Sequence, residues 1–334
     1  MKMFKTLALV LVIAALSVLL LELIGQRLVF RGELYIVDNV DHRLRPKRRQ
    51  QINLDGIRSD VEAEHFQENH HNIVFLGDSY VFGWELPLED SVPALLQKKA
   101  REAMPDKQIN VANFGWPSSS PLLSYRLLRD IGHKYKPDVV ILAVDMTDFH
   151  DDIKYARLLE RQGIYQLLEY TPVTLIALQK LLVSLELESL HEDIFGFPAR
   201  RFFVTGQPLA DSRPYLIHIQ RNIDRINEIS TFELEAKFVL LVFPRAYQYS
   251  DRETPNSWEQ GVYENLGPYA HEPFRYFEEV AREADYPVIS LLPAFQNTTV
   301  FPTTFDGDPH WNAECSRVAA AAVYEACLQA GCFD

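Results

Sequence analysis

The sequence predicts an α/β chain built on a parallel sheet and tethered by one membrane-spanning helix at its amino terminus. Three observations carry this. Five apolar, β-branched runs, at 72–76, 108–113, 138–144, 237–243 and 288–292, are continuous rather than alternating, as strands buried on both faces must be. Amphipathic patterns separate them, among them SVPALLQKKAREA, LLSYRLLRDIGHKY, HIQRNIDRINEIS and PFRYFEEVAREA, so strands alternate with crossover helices. The third observation is the stretch from Leu7 to Leu21, apolar without a polar face and resuming after Glu22, about the length that crosses a bilayer.

The elements follow in order. Residues 1–25 are expected to be an uncleaved anchor, because no small-x-small site follows the apolar core. Residues 26–70 are mixed and polar, with NLDGIRSD as a turn-like stretch, and are expected to be a linker packed onto the main domain. That domain occupies 71–334 and closes with a helix from about Ala313 to Ala330. Its regular spacing breaks once, between the third and fourth strands, where a helical, apolar-rich insertion fills about 151–235. An insertion on this side of a sheet is expected to cap a site, with a membrane or a partner helix as the alternative contact.

Composition narrows the function. The 334 residues, 47% of them hydrophobic, suffice for one sizeable core. A net charge of −13 excludes a nucleic-acid partner, since phosphate binding needs the opposite sign. Cys315, Cys327 and Cys332 all lie near the carboxyl terminus. They fit a Cys327–Cys332 disulfide and a reduced set equally well.

Open parallel sheets bind ligands beyond the carboxyl ends of their strands. There the sequence puts Gly77, Asp78 and Ser79 after strand one, Asn113, Phe114 and Gly115 after strand two, and Asp145, Thr147 and Asp148 after strand three. The loop after strand five ends in TTFDGDPHWNAE. A serine attacks an acyl carbon only when a base takes its proton and a third group orients that base. His310 is the base candidate. Asp308, two residues earlier, lies on the same side of an extended segment, with Asp306 as the competing partner. Oxyanion donors are expected from the Ser79 N–H at a helix start and the Gly115 N–H. The alternative for Ser79 is a helix cap. The run DFHDD, holding Asp148, His150, Asp151 and Asp152, reads as solvated loop charge, because no second cluster at ligand spacing accompanies it. No metal or cofactor is expected. Trp258, Tyr263 and Tyr269 are candidates to line an acyl or sugar site.

GDSYVFG, NFG, the third-strand loop and DPHWN together resemble the four signature blocks of the SGNH hydrolases, the GDSL esterase/lipase superfamily, over about residues 50–330 apart from the insertion. LDGIRSD resembles the lead-in of membrane-anchored bacterial members. The resemblance implies a three-layer α/β/α sandwich with a five-stranded parallel sheet of flavodoxin-like type. It implies Ser79 as nucleophile and first oxyanion donor, Gly115 as second donor, and His310 as base oriented by Asp308. In the third block the family's asparagine is replaced by Thr147, which makes its hydroxyl the expected third donor. The Asp-x-His spacing is shorter than the common Asp-x-x-His and is shared with the polysaccharide-acetylation branch.

The expected activity is a serine esterase acting on an ester or O-acetyl group, with an acylated envelope glycan as the substrate class. The alternatives are an O-acyltransferase served by a membrane acyl-donor partner, and a degenerate glycan-binding or scaffold domain. Charge counting sets Lys2 and Lys5 before the span against Arg27, Arg31, Arg43, Arg45, Lys47, Arg48 and Arg49 after it, which favours keeping the second group inside. The resemblance implies the opposite: an inner-membrane, single-pass protein with a periplasmic catalytic domain.

Overall fold

Continuous apolar runs become strands because both of their faces find helices to bury against. In the computed structural model, which describes residues 2–29, 51–160, 173–253 and 264–334, five of them form one parallel sheet. Its strands are β1 (His71–Gly77), β2 (Ile109–Gly115), β3 (Val139–Val144), β4 (Lys237–Val242) and β5 (Val288–Ser290), ordered β2-β1-β3-β4-β5, the flavodoxin-like doubly wound order. All six residues of central β3 are buried. A short antiparallel hairpin, β6 (Thr304–Phe305) and β7 (Asp308–Trp311), follows the sheet.

The helices are α1 (Lys2–Val29), α2 (Ser79–Phe82), α3 (Val92–Ala103), α4 (Pro121–Ile131), α5 (Asp148–Glu160), α6 (Val173–Ser184), α7 (Glu188–Phe195), α8 (Phe203–Gly206), α9 (Leu209–Glu228), α10 (Glu272–Glu283), α11 (Leu292–Gln296) and α12 (Ala313–Gln329). On α3, Val92, Leu96 and Ala100 recur every four residues and are buried, a stripe that faces the sheet. α3 packs beside α12, and α9 beside α4 and α5, which gives the three layers. The fifth strand is shorter than the run 288–292 predicts. Pro293 sits in the first turn of α11, and its fixed φ suits a helix start rather than a longer strand. Of the predicted helical stretch 165–190, residues up to 172 lie outside the described residues. The rest is α6 and α7, parted at Glu186, whose φ is +56°.

The large apolar residues of α1 from Leu7 to Ile24 are exposed. Among the described residues no helix is long and apolar enough to cross a membrane. Arg31, Arg43, Arg45, Lys47, Arg48 and Arg49 lie outside the described residues. All three cysteines are free, buried thiols.

The segment ahead of β1 reaches into the site. Arg58 pairs by its backbone with Asn113 of β2. Its buried guanidinium donates to the carbonyls of Phe82 and Gly83, each at 2.6 Å, and of Leu86 at 2.5 Å, while lying over the Phe82 ring at 4.4 Å. These carbonyls lie at the end of α2 and in the turn that follows it. Arg58→Ala is expected to cost about 3 kcal/mol of stability, the scale of one or two charge-assisted bonds net of solvation, and Arg58→Lys somewhat less. Urea unfolding checks this; wild-type midpoints in both variants would remove the clamp from the account.

Candidate active site

The loop from β1 to α2 brings Ser79 forward as a free side chain. Asp78, not Ser79, is the helix cap: its carboxylate accepts the Tyr80 N–H at 2.8 Å. Ser79 is the first residue of α2, so its hydroxyl is not consumed by the backbone. The helix closes on Gly83, whose φ of +80° is the left-handed turn glycine makes without strain. Both the Gly83 and Trp84 N–H groups donate to the Ser79 carbonyl at 3.0 Å.

The DPHW stretch becomes a strand because Asp306-Gly307 turns the chain between β6 and β7, with Phe305 opposite Asp308. Asp-Gly is a favoured two-residue hairpin turn. In the extended β7, Asp308 and His310 share the outer side while Pro309 and Trp311 are buried. His310 Nδ1 lies 2.5 Å from Asp308 Oδ1, and Nε2 lies 2.8 Å from Ser79 Oγ. A carboxylate can only accept, so Nδ1 carries the proton and Nε2 is the acceptor for Ser79. Ser79 Oγ is also 3.5 Å from Asp78 Oδ2. The single hydroxyl proton goes to the much closer imidazole. Asp308, rather than Asp306, orients the ring.

Two of the three predicted oxyanion donors, Gly115 and Thr147, are engaged within the protein. The Gly115 N–H donates to the Asn113 side-chain oxygen at 2.9 Å. The Asn113 amide in turn donates to the Val81 and Phe82 carbonyls. A side chain at Gly115 would have its Cβ 2.2 Å from the Phe82 nitrogen, so this glycine admits α2 against β2 rather than a ligand. The Thr147 hydroxyl donates to Asp145 Oδ1 at 2.6 Å, and its N–H reaches the same oxygen at 2.7 Å. Threonine is too short to satisfy Asp145 and also reach forward as an asparagine amide would. Of the predicted set, the Ser79 N–H at the start of α2 is the donor with no such engagement among the described residues.

Behind Ser79 lies a buried acidic group. Asp145 is ion-paired with buried Arg245, and its N–H donates to Asp148 Oδ2 at 2.7 Å. Burial, and next the Asp145 charge, push the Asp78 carboxyl up to about 8, against the pull of the Tyr80 N–H and of Arg245. Burial and Asp145 also hold Asp148 well above the carboxylate range. A carboxyl raised in the folded state binds its proton more tightly there than in the unfolded chain. This contribution to stability is therefore present below about pH 4 and is lost as pH rises to about 8. Asp78→Asn keeps an acceptor for Tyr80 and is expected to flatten that decline, worth at most about 1.4 kcal/mol per pH unit for one group. Thermal unfolding at several pH values checks it; equal pH slopes in both proteins would contradict it.

DFHDD is not solvated. Asp148, His150, Asp151 and Asp152 are all buried in the first turns of α5, because chain from the insertion and α9 covers them. Asp152 accepts from the Leu122 N–H and from Asn222, each at 2.7 Å, and burial raises it to about 7. Burial would raise Asp151 too, but Arg201, 2.7 Å away, and Lys154 hold it below the usual range. His150 faces the Pro198 carbonyl at 3.0 Å. No cluster able to hold a metal occurs among the described residues.

Sequence reasoning missed three supports of the site. The Tyr80 hydroxyl donates to the Pro309 carbonyl at 2.9 Å, and its ring lies 5.2 Å from that of His310, tying the hairpin to α2. Glu253 accepts from the N–H groups of Thr303 and Thr304, pinning the start of the hairpin from the loop after β4. Trp84 stands 5.9 Å from the His310 ring and, with Trp116 and Tyr155, belongs to an apolar cluster beside α2. Only Tyr80, adjacent to Ser79, carried any local signal. Of the predicted aromatic lining, Tyr269 is half-buried, whereas Trp258 and Tyr263 lie outside the described residues.

No family model matches the chain, and no curated protein matches it. Solved structures do. TesA aligns with 77% of this chain and 98% of its own length, at 14% identity and a TM-score of 0.45. A putative lipolytic protein of the G-D-S-L family from Desulfitobacterium hafniense covers 77% and 99%, at 16% and 0.42. A carbohydrate acetylesterase family member from Sinorhizobium meliloti covers 78% and 99%, at 14% and 0.45. The G-D-S-L family, whose motif blocks this sequence resembles, is thus represented among the solved structures to which the chain is similar.

Proposed function

We propose that this protein is an SGNH-type serine esterase that hydrolyses an ester or O-acetyl group through an acyl-enzyme. One observation carries the reading: the His310 ring bridges Ser79 Oγ at 2.8 Å and Asp308 at 2.5 Å across 231 residues of chain. Ser79 Oγ attacks the acyl carbon while His310 Nε2 takes its proton, and Asp308 stabilises the imidazolium. The oxyanion is held by the Ser79 N–H. As the tetrahedral adduct collapses, His310 returns the proton to the departing alkoxide, and the alcohol leaves. Water then attacks the acyl-serine, giving its proton to His310, and the carboxylic acid departs as Ser79 is reprotonated. With two of the family's expected donors engaged elsewhere, transition-state binding is weaker by roughly 3 kcal/mol for each donor lost. This favours esters with a good leaving group.

The substrate class that fits is an acylated glycan of the cell envelope. In this reading α1 is the anchor in the inner membrane, and the catalytic domain lies in the periplasm. The exposed apolar side chains of α1 from Leu7 to Ile24 support it. Hydrolysis of p-nitrophenyl acetate, with and without a sugar acceptor, tests the activity. Release of p-nitrophenol together with free acetate, independent of the acceptor and lost in Ser79→Ala, is expected. Release of p-nitrophenol that needs the acceptor and leaves the acetyl group on the sugar would make the protein a transferase, and release retained in Ser79→Ala would end the esterase reading. A reporter fused at the carboxyl terminus tests the orientation.

A further inference from the structure

The insertion carries more apolar surface than the core absorbs. On α6 only Leu182 is fully buried, with Leu178 packed partly against the core. On α7, His191 and Phe195 turn inward, where both rings meet Phe197. Leu187 in the turn before α7, and Leu190 and Ile194 one residue before each of these inward positions, are exposed and form a stripe flanking the buried one. Leu181 and Val183 of α6 and Leu185 just past its end are exposed as well. The insertion thus carries exposed apolar surface beside its core-facing side.

The insertion is joined to α1. Glu22, the one charge inside the apolar run of α1, accepts from the Val173 N–H at 2.7 Å, the Thr174 N–H at 3.1 Å and the Thr174 hydroxyl at 3.0 Å. It thereby satisfies donors at the first turn of α6 that have no partner within that helix. Gly25 of α1 lies so close that a Cβ there would stand 2.9 Å from the Val173 side chain. A carboxylate in an apolar helix is thus explained by a joint rather than by solvent.

We propose that the exposed edge Leu181–Ile194 of the insertion is embedded in the acyl-chain boundary of the bilayer that α1 crosses, with Glu22 as the joint between the two. The inference rests on the reading of α1 as an anchor. The bilayer is the occupant because the insertion is joined at the start of α6 to α1, whose large apolar residues are exposed. Attraction to anionic headgroups is not the grip. Glu186, Glu188, Glu192 and Asp193 interleave with the apolar residues, and the chain carries −13. The contact is therefore hydrocarbon burial, insensitive to salt.

The test uses the full chain in phosphatidylcholine vesicles with doxyl-labelled lipids and a bimane label at single introduced cysteines, the native cysteines being buried. Labels at Leu187→Cys and Leu190→Cys are expected to be quenched about twofold by shallow doxyl groups, as for a helix lying about 5–10 Å into the boundary. Phe232→Cys, exposed beside the start of β4 at the other edge of the sheet, is expected to be unquenched. Leu16→Cys reports on the anchor separately. Quenching at 16 without quenching at 187 and 190 overturns this proposal and leaves the anchor standing; loss of quenching at 16 overturns the anchor. Cross-linking of two copies through Leu190→Cys would assign the edge to a second copy instead. In Glu22→Leu, quenching at 187 is expected to fall while that at 16 persists; unchanged quenching at 187 would remove Glu22 as the joint.

Discussion

His310→Ala is expected to lower kcat on an ester by about 10⁵–10⁶-fold, the scale seen when a base acting with a serine nucleophile is removed. Ser79 Oγ then has only Asp78 at 3.5 Å, too far to take the hydroxyl proton in a good hydrogen bond. The fold should survive, because the imidazole is replaced at a partly exposed position in β7, where it packs on Tyr80 and Trp84. Asp308→Ala should cost less, about 10⁴-fold, since it removes only the orienting group. The double variant should be no slower than His310→Ala alone, because the two side chains act as one unit. Rates with p-nitrophenyl acetate decide it. A His310→Ala enzyme within tenfold of wild type, a difference of about 1.4 kcal/mol, would remove the imidazole from the mechanism.

Gly115→Ala is expected to cost activity and stability together. Its Cβ would meet the Phe82 nitrogen at 2.2 Å, the Val81 carbonyl carbon at 2.7 Å and the Phe82 Cα at 2.8 Å. All three are backbone atoms of α2, so no rotamer relieves the clash. The helix must move, and Ser79 moves with it. Overpacking of this kind costs about 1–3 kcal/mol, and a displacement of about 1 Å at the nucleophile lowers kcat/KM by about 10²-fold. An enzyme losing only an oxyanion donor would keep its stability, and alanine retains the backbone N–H in any case. Thermal unfolding measured beside kcat/KM separates the two accounts. A variant with wild-type stability and rate would refute the close approach of α2 to β2.

The layout of this site was legible where the chemistry is local. The strands declared themselves because a parallel sheet buries both faces, which leaves continuous apolar runs. Asp308 and His310 were readable as a pair because an extended segment puts residues two apart on one side. Ser79 was readable as a side chain at a strand end, although the cap proved to be Asp78. What failed was anything that depended on which way a neighbouring side chain turns or on a partner distant in sequence. Whether the Gly115 N–H is available is decided by the Asn113 side chain, which turns back to hold α2. Whether Thr147 can reach an oxyanion is decided by Asp145. The acidic run of α5 looked solvated because its partners, Pro198, Arg201 and Asn222, come from farther along the insertion. The Arg58 clamp was hidden likewise: nothing in IRSD says that its guanidinium meets the end of α2.

The most direct test of the central claim is labelling with a fluorophosphonate, followed by peptide mass mapping. Such a probe reacts only with a serine whose proton has an acceptor, so it reads the Ser79–His310 contact itself rather than any one substrate. The account predicts stoichiometric modification at Ser79, none in Ser79→Ala, and a rate reduced by about 10⁴-fold or more in His310→Ala. Equal labelling of wild type and Ser79→Ala, or a wild type that does not react, would contradict it.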